Sequence, residues 1–569
     1  MTICAPPSRR EIFVAAAAGA TLATACSRPH RRSGWLSYLV GTEPDTLDAA
    51  KCAGGSEILI LAALFEPLTL QHPETMAPMA GLATHYNIER DGMRYTFYLR
   101  GHSSTRGVKL PGANALPTEF SRGLPSAPDD RPARWSDGKA ITAHDVVYSW
   151  RRYLTPETGC IFANTLYCVS NAEAVASGKL PPEQLGVQAV DDYTFQIDLN
   201  APAPYLLMLC STSMTLPLPR HVIRAAREQG REASWVEPGR MVSSGPFVLS
   251  ESKARERTVV ARNPHYYDAH VVGVDGVRFS VADGAMVLNL YRAGLADSMD
   301  GRTLPLQLVP AMRRLDGFHS RPACASHNWR ISAKRAPLDN VMLRYALNMA
   351  TDKVATTRFL GSAQKPAKCR VPPIQGYQSP TRLPVEINGS TIDILQFNPR
   401  AARELWAAAS HETHAPLPIY YGAVADSHVL AQVLQYQWRN HLGIETRLMP
   451  LEMRLYAQTV FQDGDFSGVA EDSYIANYPD PSDLLELYAV NYPNWSDPAY
   501  DRMLSAATSI AEPALRMTSL AQCEASLLKA MPFIPLYFDT WNYLERPDVH
   551  GLTLNPSGVP SFKYAWIQM

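Results

Sequence analysis

Alternation of apolar and polar positions is the clearest signal in this chain. Tyr95, Phe97 and Leu99 fall on one side of an extended run and Thr96 and Tyr98 on the other, the period of a half-buried strand. Tyr193, Phe195, Ile197 and Leu199 alternate with Thr194, Gln196 and Asp198 in the same way, and Asp191-Asp192 supplies a turn just before them. Helical spacing is as plain elsewhere. Thr142-Ala143-His144-Asp145 reads as a capping box, and Val146, Trp150 and Tyr153 or Leu154 then form an apolar stripe. Residues 285–296, 401–409 and 429–441 are predicted helices, the last ended by Gly443. Pro513 suits a helix start, and the pattern runs to Ala530 before Pro532 and Pro535 stop it. Strands and helices interleave without a fixed-period repeat, which predicts a mixed α/β fold and excludes a solenoid or propeller.

The chain has 569 residues, more than one hydrophobic core organises, so two or three lobes are expected. Hydrophobic residues at 46% and charged residues at 19% exclude a largely disordered chain. Lys plus Arg number 53 against 54 Asp plus Glu, and this balance argues against a nucleic-acid partner. The 45 prolines imply many loops and edge strands, and the 26 tyrosines suit a surface that handles polar ligands. Residues 101–132 are dense in Pro, Gly and Ser and read as a long surface loop, either a flap or partner contact or an inert insertion.

The N-terminus carries an address. Ser8-Arg9-Arg10 precedes a weakly apolar, alanine-rich run from Ile12 to Ala25, too short to span a membrane. A charged start, an apolar centre and small residues before a cut describe a signal peptide over residues 1–25. The paired arginines read as a twin-arginine export signal. Ala25-Cys26 resembles a lipoprotein processing site, which makes Cys26 the candidate lipidation position and a lipid anchor the candidate membrane contact. The large aliphatic residue expected three places earlier is absent, since Ala23 stands there and Leu22 one place further away; plain secretion with cleavage nearby is the alternative. No later stretch reaches the roughly 18 apolar residues of a membrane span.

Catalytic and metal-binding patterns are missing. There is no GxSxG elbow and no GxGxxG, and Gly138-Lys139 lacks the rest of a phosphate loop. His411-Glu412-Thr413-His414 has the wrong spacing for a zinc-protease motif. None of the nine cysteines forms a CxxC pair. Cys160 and Cys168 are close enough in sequence to bridge, with free buried thiols as the alternative; folding before export, in a reducing compartment, weakens the disulfide case. No enzyme activity, cofactor or metal is expected.

The stretch from Trp135-Ser136-Asp137-Gly138 through Thr142-Ala143-His144-Asp145 to Tyr148-Ser149-Trp150 is similar to the most recognisable segment of the bacterial extracellular solute-binding proteins of family 5, the oligopeptide- and dipeptide-binding proteins of ABC transporters. Further segments follow the family order: Thr42–Asp48, Leu64–Leu68, Gly186–Thr194, Ser244-Gly245-Pro246-Phe247, Arg262–Tyr267, Tyr291-Arg292-Ala293-Gly294, and Pro337–Arg344 on to Asp352-Lys353. Together they span roughly residues 38–545.

The resemblance implies a two-lobed periplasmic-binding-protein fold with a small extra domain. Lobe I is expected to comprise 35–65, 221–320 and 541–569, the small domain 66–220, and lobe II 321–540. It also implies a monomer on the extracytoplasmic face that captures oligopeptides by hinge closure and hands them to ABC permease subunits. Backbone pairing with an extended peptide would explain tolerance of sequence. By position, the loop containing Ala53, Gly54 and Gly55 would approach peptide backbone, Phe162 would stand near the ligand, and Tyr474, Ile475, Ala476, Asn477 and Asp480 would line the second lobe's edge. One departure stands out. Peptide-binding members commonly place an aspartate where this chain has Asn477, to meet the peptide's ammonium. A neutral hydrogen bond is worth about 0.5–1.5 kcal/mol against about 1.5–3 for a charged one, so recognition of a free terminus would weaken roughly tenfold. Glu471, Asp472 or Asp480 could restore the charge. Otherwise the ligand is a peptide with a blocked amine, or another small solute such as glutathione, a sugar, haem or a metal chelate. A secreted hydrolase is the reading from a different class.

Overall fold

The computed structural model describes residues 34–568 apart from 53, 104–105, 410–414 and 491. The leader with Cys26, the loop residue Ala53 and the 411–414 histidine pair lie outside the described residues.

Three large sheets carry the fold. The first orders Ser298–Met299, Trp35–Val40, Gly276–Val281, Arg257–Arg262 and Phe247–Lys253. Its first strand is parallel to both neighbours, which requires crossovers; the last three strands form an antiparallel meander. Between Trp35–Val40 and Phe247–Lys253 the chain builds a separate antiparallel sheet from Val108–Lys109, Ala83–Glu89, Arg94–Leu99, Thr194–Asp198 and Val187–Asp191. The third sheet has six strands, ordered Lys365–Pro366, Phe533–Leu544, Phe318–Ile331, Val469–Ile475, Leu417–Gly422 and Thr446–Leu451.

The alternating runs behave as their period requires. Tyr95, Phe97 and Leu99 are buried, and Phe97 stacks against Tyr95 and against Phe195 of the neighbouring strand. Helix Ala143–Leu154 covers this face, with Trp150 edge-on to Phe195 and its Nε1 donating to the Thr215 carbonyl at 3.1 Å. The predicted capping box is formed: the Thr142 amide donates to the Asp145 carboxylate at 2.9 Å.

Some expectations need correction. The helix expected over 285–296 is Gly284–Arg292; Gly294 takes a left-handed φ of +74° and terminates it. The helix expected from 429 starts at Ala425, because residues 425–428 are polar or small and carry no apolar period, yet Asp426 suits a first turn. Residues 101–132 are not a bare surface loop. They hold Val108–Lys109, Ala113–Ala115 and Thr118–Ser121, and Leu116 and Phe120 are buried with Met79, Val271 and Tyr564. The apolar anchors are single residues among prolines and glycines, so they give no periodic signal. The seven cysteines among the described residues, Cys160 and Cys168 included, are free thiols.

Two elements join the halves. Phe318–Ile331 and Phe533–Leu544 pair antiparallel, with register shifts between Pro322 and Ser326 and between His327 and Asn328. One end of this pair lies inside the six-stranded sheet; at the other, Glu545 bridges to Ser298 at the edge of the first sheet. The C-terminal segment is fixed separately. Lys563, buried, pairs with Asp268 at 2.8 Å and stands 3.2 Å from the Tyr267 hydroxyl. Both Tyr266 and Tyr267 donate to Glu66, and the Arg100 guanidinium lies 3.9 Å above the Tyr267 ring. Burial alone would favour neutral Lys563, but Asp268 overrides it and the ammonium is strongly retained.

Removing one partner of a buried ion pair leaves an uncompensated charge. Lys563→Met is therefore expected to destabilise the protein by about 3–5 kcal/mol in denaturant unfolding, with much of the loss recovered by adding Asp268→Asn. Equal losses in the single and double variants would show that the pair has no such role.

Candidate functional site

The segment after Val469–Ile475 has a cavity of about 510 Å³ on one side, walled by Asn164, Thr165, Tyr167, Cys168, Asn200 and Tyr205 and by two helices, Pro481–Val490 and Pro498–Thr508. A second cavity, about 250 Å³, lies on the other side, walled by helix Gly55–Leu64, Phe162, Arg302, Ile475, Ala476 and the C-terminal turn around Ser557. Asn477 lines both. The two halves meet beside it, with Tyr205 stacked on Tyr478 at 5.2 Å between ring centres.

Five of the positions expected from sequence are thereby brought together: Phe162, Ile475, Ala476 and Asn477 at the second cavity, and Tyr474 with Asn477 at the first. Gly54 and Gly55 are not among the lining residues. Gly54 caps helix Gly55–Leu64, whose Ile58, Ala62 and Phe65 face the cavity instead. A Cβ at Gly55 would lie 2.6 Å from the Arg302 guanidinium, which would have to shift. Arg302 is oriented by Asp300 at 2.9 Å.

The acidic groups near Asn477 divide sharply by countercharge. Asp480 is a correction to the sequence reading. Its carboxylate is buried and held by Arg516 at 2.7 and 2.8 Å, so it presents no free charge to a ligand. Asp472 lies between Arg330 at 3.3 Å and Arg370 at 2.8 Å, and Glu471 faces His327 at 3.2 Å. All three candidates for the missing charge are already countered.

Asp483 is different, and sequence reasoning missed it. Its carboxylate accepts from the Asn477 amide nitrogen at 2.8 Å, from Asn477 Nδ2 at 3.0 Å and from the Tyr474 hydroxyl at 3.2 Å. Asn477 Nδ2 also donates to the Tyr474 hydroxyl at 2.9 Å. All of these donors are neutral. Burial pushes the Asp483 carboxyl up to about 7 despite the hydrogen bonds. Glu486, three residues along the same helix, is likewise pushed up to about 7 by burial, with Asp483 and Asp480 adding like charge. Asp501 completes the acidic lining, and among the described residues no lysine, arginine or histidine lines this cavity. The signal available in the sequence was Asp483 and Glu486 at i, i+3, one face of a helix that opens at Pro481.

Comparison with known proteins places this geometry. Residues 131–496 match the model of the bacterial extracellular solute-binding proteins, family 5. The chain is similar to the Escherichia coli periplasmic murein peptide-binding protein MppA, 28% identical over 90% of this chain and 89% of that one. It is similar at the same level, 28% over 93% and 92%, to the probable deoxycholate-binding periplasmic protein YgiS of E. coli. The solved structure of the E. coli murein tripeptide binding protein MppA superposes with a TM-score of 0.75 at 26% identity, covering 94% of this chain and 98% of that one. The fold is that of the two-lobed periplasmic binding proteins, and the chain belongs to the bacterial extracellular solute-binding proteins of family 5.

Proposed function

We propose that this protein captures peptides with a free amino terminus in the cleft around Asn477 and delivers them to an ABC permease from the extracytoplasmic side, tethered through Cys26. The units expected from sequence, 35–65 with 221–320 and 541–569, 66–220, and 321–540, are taken as the bodies that close on the ligand. The observation that carries the reading is the first cavity: three carboxylates and no cation in its lining, inside the cleft of a solute-binding fold. Asp483 takes the place of the aspartate missing at 477. An ammonium beside Asp483 would supply the countercharge the carboxylate lacks. Asn477 and Tyr474 hold that carboxylate in place. The peptide-binding relative MppA supports the same ligand class. The structure of the second cavity favours one other reading. Ile58, Ala62, Phe65 and Phe162 make it largely apolar with Arg302 at hand, a setting suited to an amphipathic acid, and the relative YgiS is named as a probable deoxycholate binder.

Calorimetry with a free tripeptide and its N-acetylated twin separates these. Acetylation is expected to weaken binding roughly tenfold or more, and Asp483→Asn to abolish the difference between the twins. Twins that bind wild type equally would remove the ammonium from this site, and deoxycholate binding tighter than any peptide tested would overturn the peptide reading.

Titration offers an independent check. A carboxyl titrates near 4 in the unfolded chain and at about 7 for Asp483 in the folded one. Between these values the folded protein binds the extra proton, so its stability falls as pH rises from about 4 to about 7. Thermal unfolding of ligand-free protein should therefore show a higher Tm at pH 5 than at pH 7.5, with a shallower slope in Asp483→Asn. A cationic ligand lowers the same pKa, so binding near pH 7 should release protons. Calorimetry in buffers of different ionisation enthalpy reads this release directly; its absence would mean that no cation meets Asp483.

A further inference from the structure

We propose a second binding site, separate from the cleft, in the groove between helices Ala143–Leu154 and Arg220–Glu228, for a small solute carrying closely spaced phosphate groups. The groove encloses about 500 Å³, and none of its lining residues lines either cleft cavity. Arg220, Arg224 and Arg227 stand at i, i+4 and i+7 on the second helix and all line it. Tyr148 and Arg151, at i and i+3 of the first helix, line the opposite wall, and Lys51 closes the groove from the loop before helix Gly55–Leu64. The Arg224 guanidinium lies over the Tyr148 ring at 5.3 Å, which fixes it between the two helices.

Like charges at i, i+4 repel, and the groove counters only some of them. Arg152 is paired with Asp48 at 2.6 Å and Glu232 at 3.1 Å, Arg220 stands 3.7 Å from Asp145, and Arg227 stands 4.0 Å from Glu232. Lys51, Arg151 and Arg224 have no carboxylate within 4.0 Å among the described residues. Arg151 donates one Nη2 bond, to the Glu183 carbonyl at 3.1 Å, and its Nε is buried without a partner. Arg152 is 7% exposed, and its Nε is likewise buried and unpartnered. Two exposed carboxylates, Glu157 and Glu183, also line the groove, so it is not a uniformly basic surface suited to a polymer. It is a bounded pocket with three cations, Lys51, Arg151 and Arg224, that have no carboxylate partner among the described residues. Guanidinium forks match phosphate oxygens two at a time, and several such groups around a pocket of this size suit more than one phosphate.

The test uses the full protein. Calorimetry at low ionic strength with sodium tripolyphosphate should show saturable one-site binding that weakens as salt is added. Inorganic phosphate should bind more weakly. An Arg151→Gln/Arg224→Gln double variant should lose roughly tenfold or more in tripolyphosphate affinity while keeping the wild-type circular-dichroism spectrum and a cooperative thermal transition, which shows that it folds. Absence of saturable binding, or equal binding by the variant, would overturn the site. So would binding to phosphatidylglycerol vesicles, but not phosphatidylcholine ones, in a protein that ignores tripolyphosphate: that result would make the groove a membrane contact. Because the readout does not involve the cleft, its failure leaves the peptide reading standing, and failure of the peptide reading leaves this one.

Discussion

The strand pair Phe318–Ile331 with Phe533–Leu544 is the constraint on which the rest of this molecule depends. It belongs to the six-stranded sheet at one end and meets the first sheet at the other. Backbone hydrogen bonds along such a pair are hard to break without exposing unpaired groups, so the two halves are held to one another by sheet, not by a loose linker. The irregularity is local. Between Pro322 and Ser326 the register shifts, Pro322 has no amide to donate, and the Cys324 amide bonds instead to the Pro556 carbonyl at 2.7 Å. The Cys324 carbonyl then accepts from the Ala476 amide at 2.8 Å. The point where the pair is least regular is therefore tied to the cleft edge and to the C-terminal turn at once. A change of angle there would move Ala476 and Asn477 with it, which is the coupling a hinge-closing binder needs.

Countercharge is distributed with the same economy. Several deep carboxylates that position structure are matched by a guanidinium or ammonium: Asp480 by Arg516, Asp472 by Arg330 and Arg370, Asp48 by Arg152, Asp268 by Lys563. Burying such groups unpaired would be prohibitive. Asp483 and Glu486 have no ion pair within 4.0 Å among the described residues and have raised pKa values, as does the core residue Glu524, which is held by two backbone amides and the Tyr377 hydroxyl; what sets the first two apart is that they line a cavity. Sites that keep charge without partners are where function usually resides.

Much of this was legible from residues alone. The segment 474–477 expected at the ligand edge does line the two cavities, and the Asn477 departure directed attention to its neighbour Asp483. The strand and helix periods near 95, 146, 195 and 513 predicted real elements, because each lies on a single buried face. What failed did so for physical reasons. A buried ion pair looks like any acidic residue in sequence, so Asp480 could not be told from a ligand group without Arg516, 36 residues away. Anchors such as Phe120 hide inside a Pro/Gly-rich stretch because they pack singly against distant partners. Gly54 and Gly55 suggested close approach to a ligand, whereas the side chains that come close are those of Glu57 at Gly54 and Arg302 at Gly55.

The amide at 477 is better understood through Asp483 than as a loss. Coulomb repulsion between two carboxylates at hydrogen-bond distance is severe in a partly dry site, and one of them would be forced to protonate. With Asp483 lying 2.8 Å from the 477 backbone amide and 3.0 Å from the side-chain nitrogen, an aspartate at 477 would create that conflict. Asparagine removes it and adds a donor. One Nδ2 serves both Asp483 and the Tyr474 hydroxyl, so three side chains share a single arrangement. In the proposed reading the negative charge lies six residues along the chain, at Asp483 on a helix, where it is held by neutral donors. A carboxylate placed so is weakly stabilised when empty and gains most when an ammonium arrives. Under the proposed reading, the site would discriminate by the charge of what enters it and not only by shape.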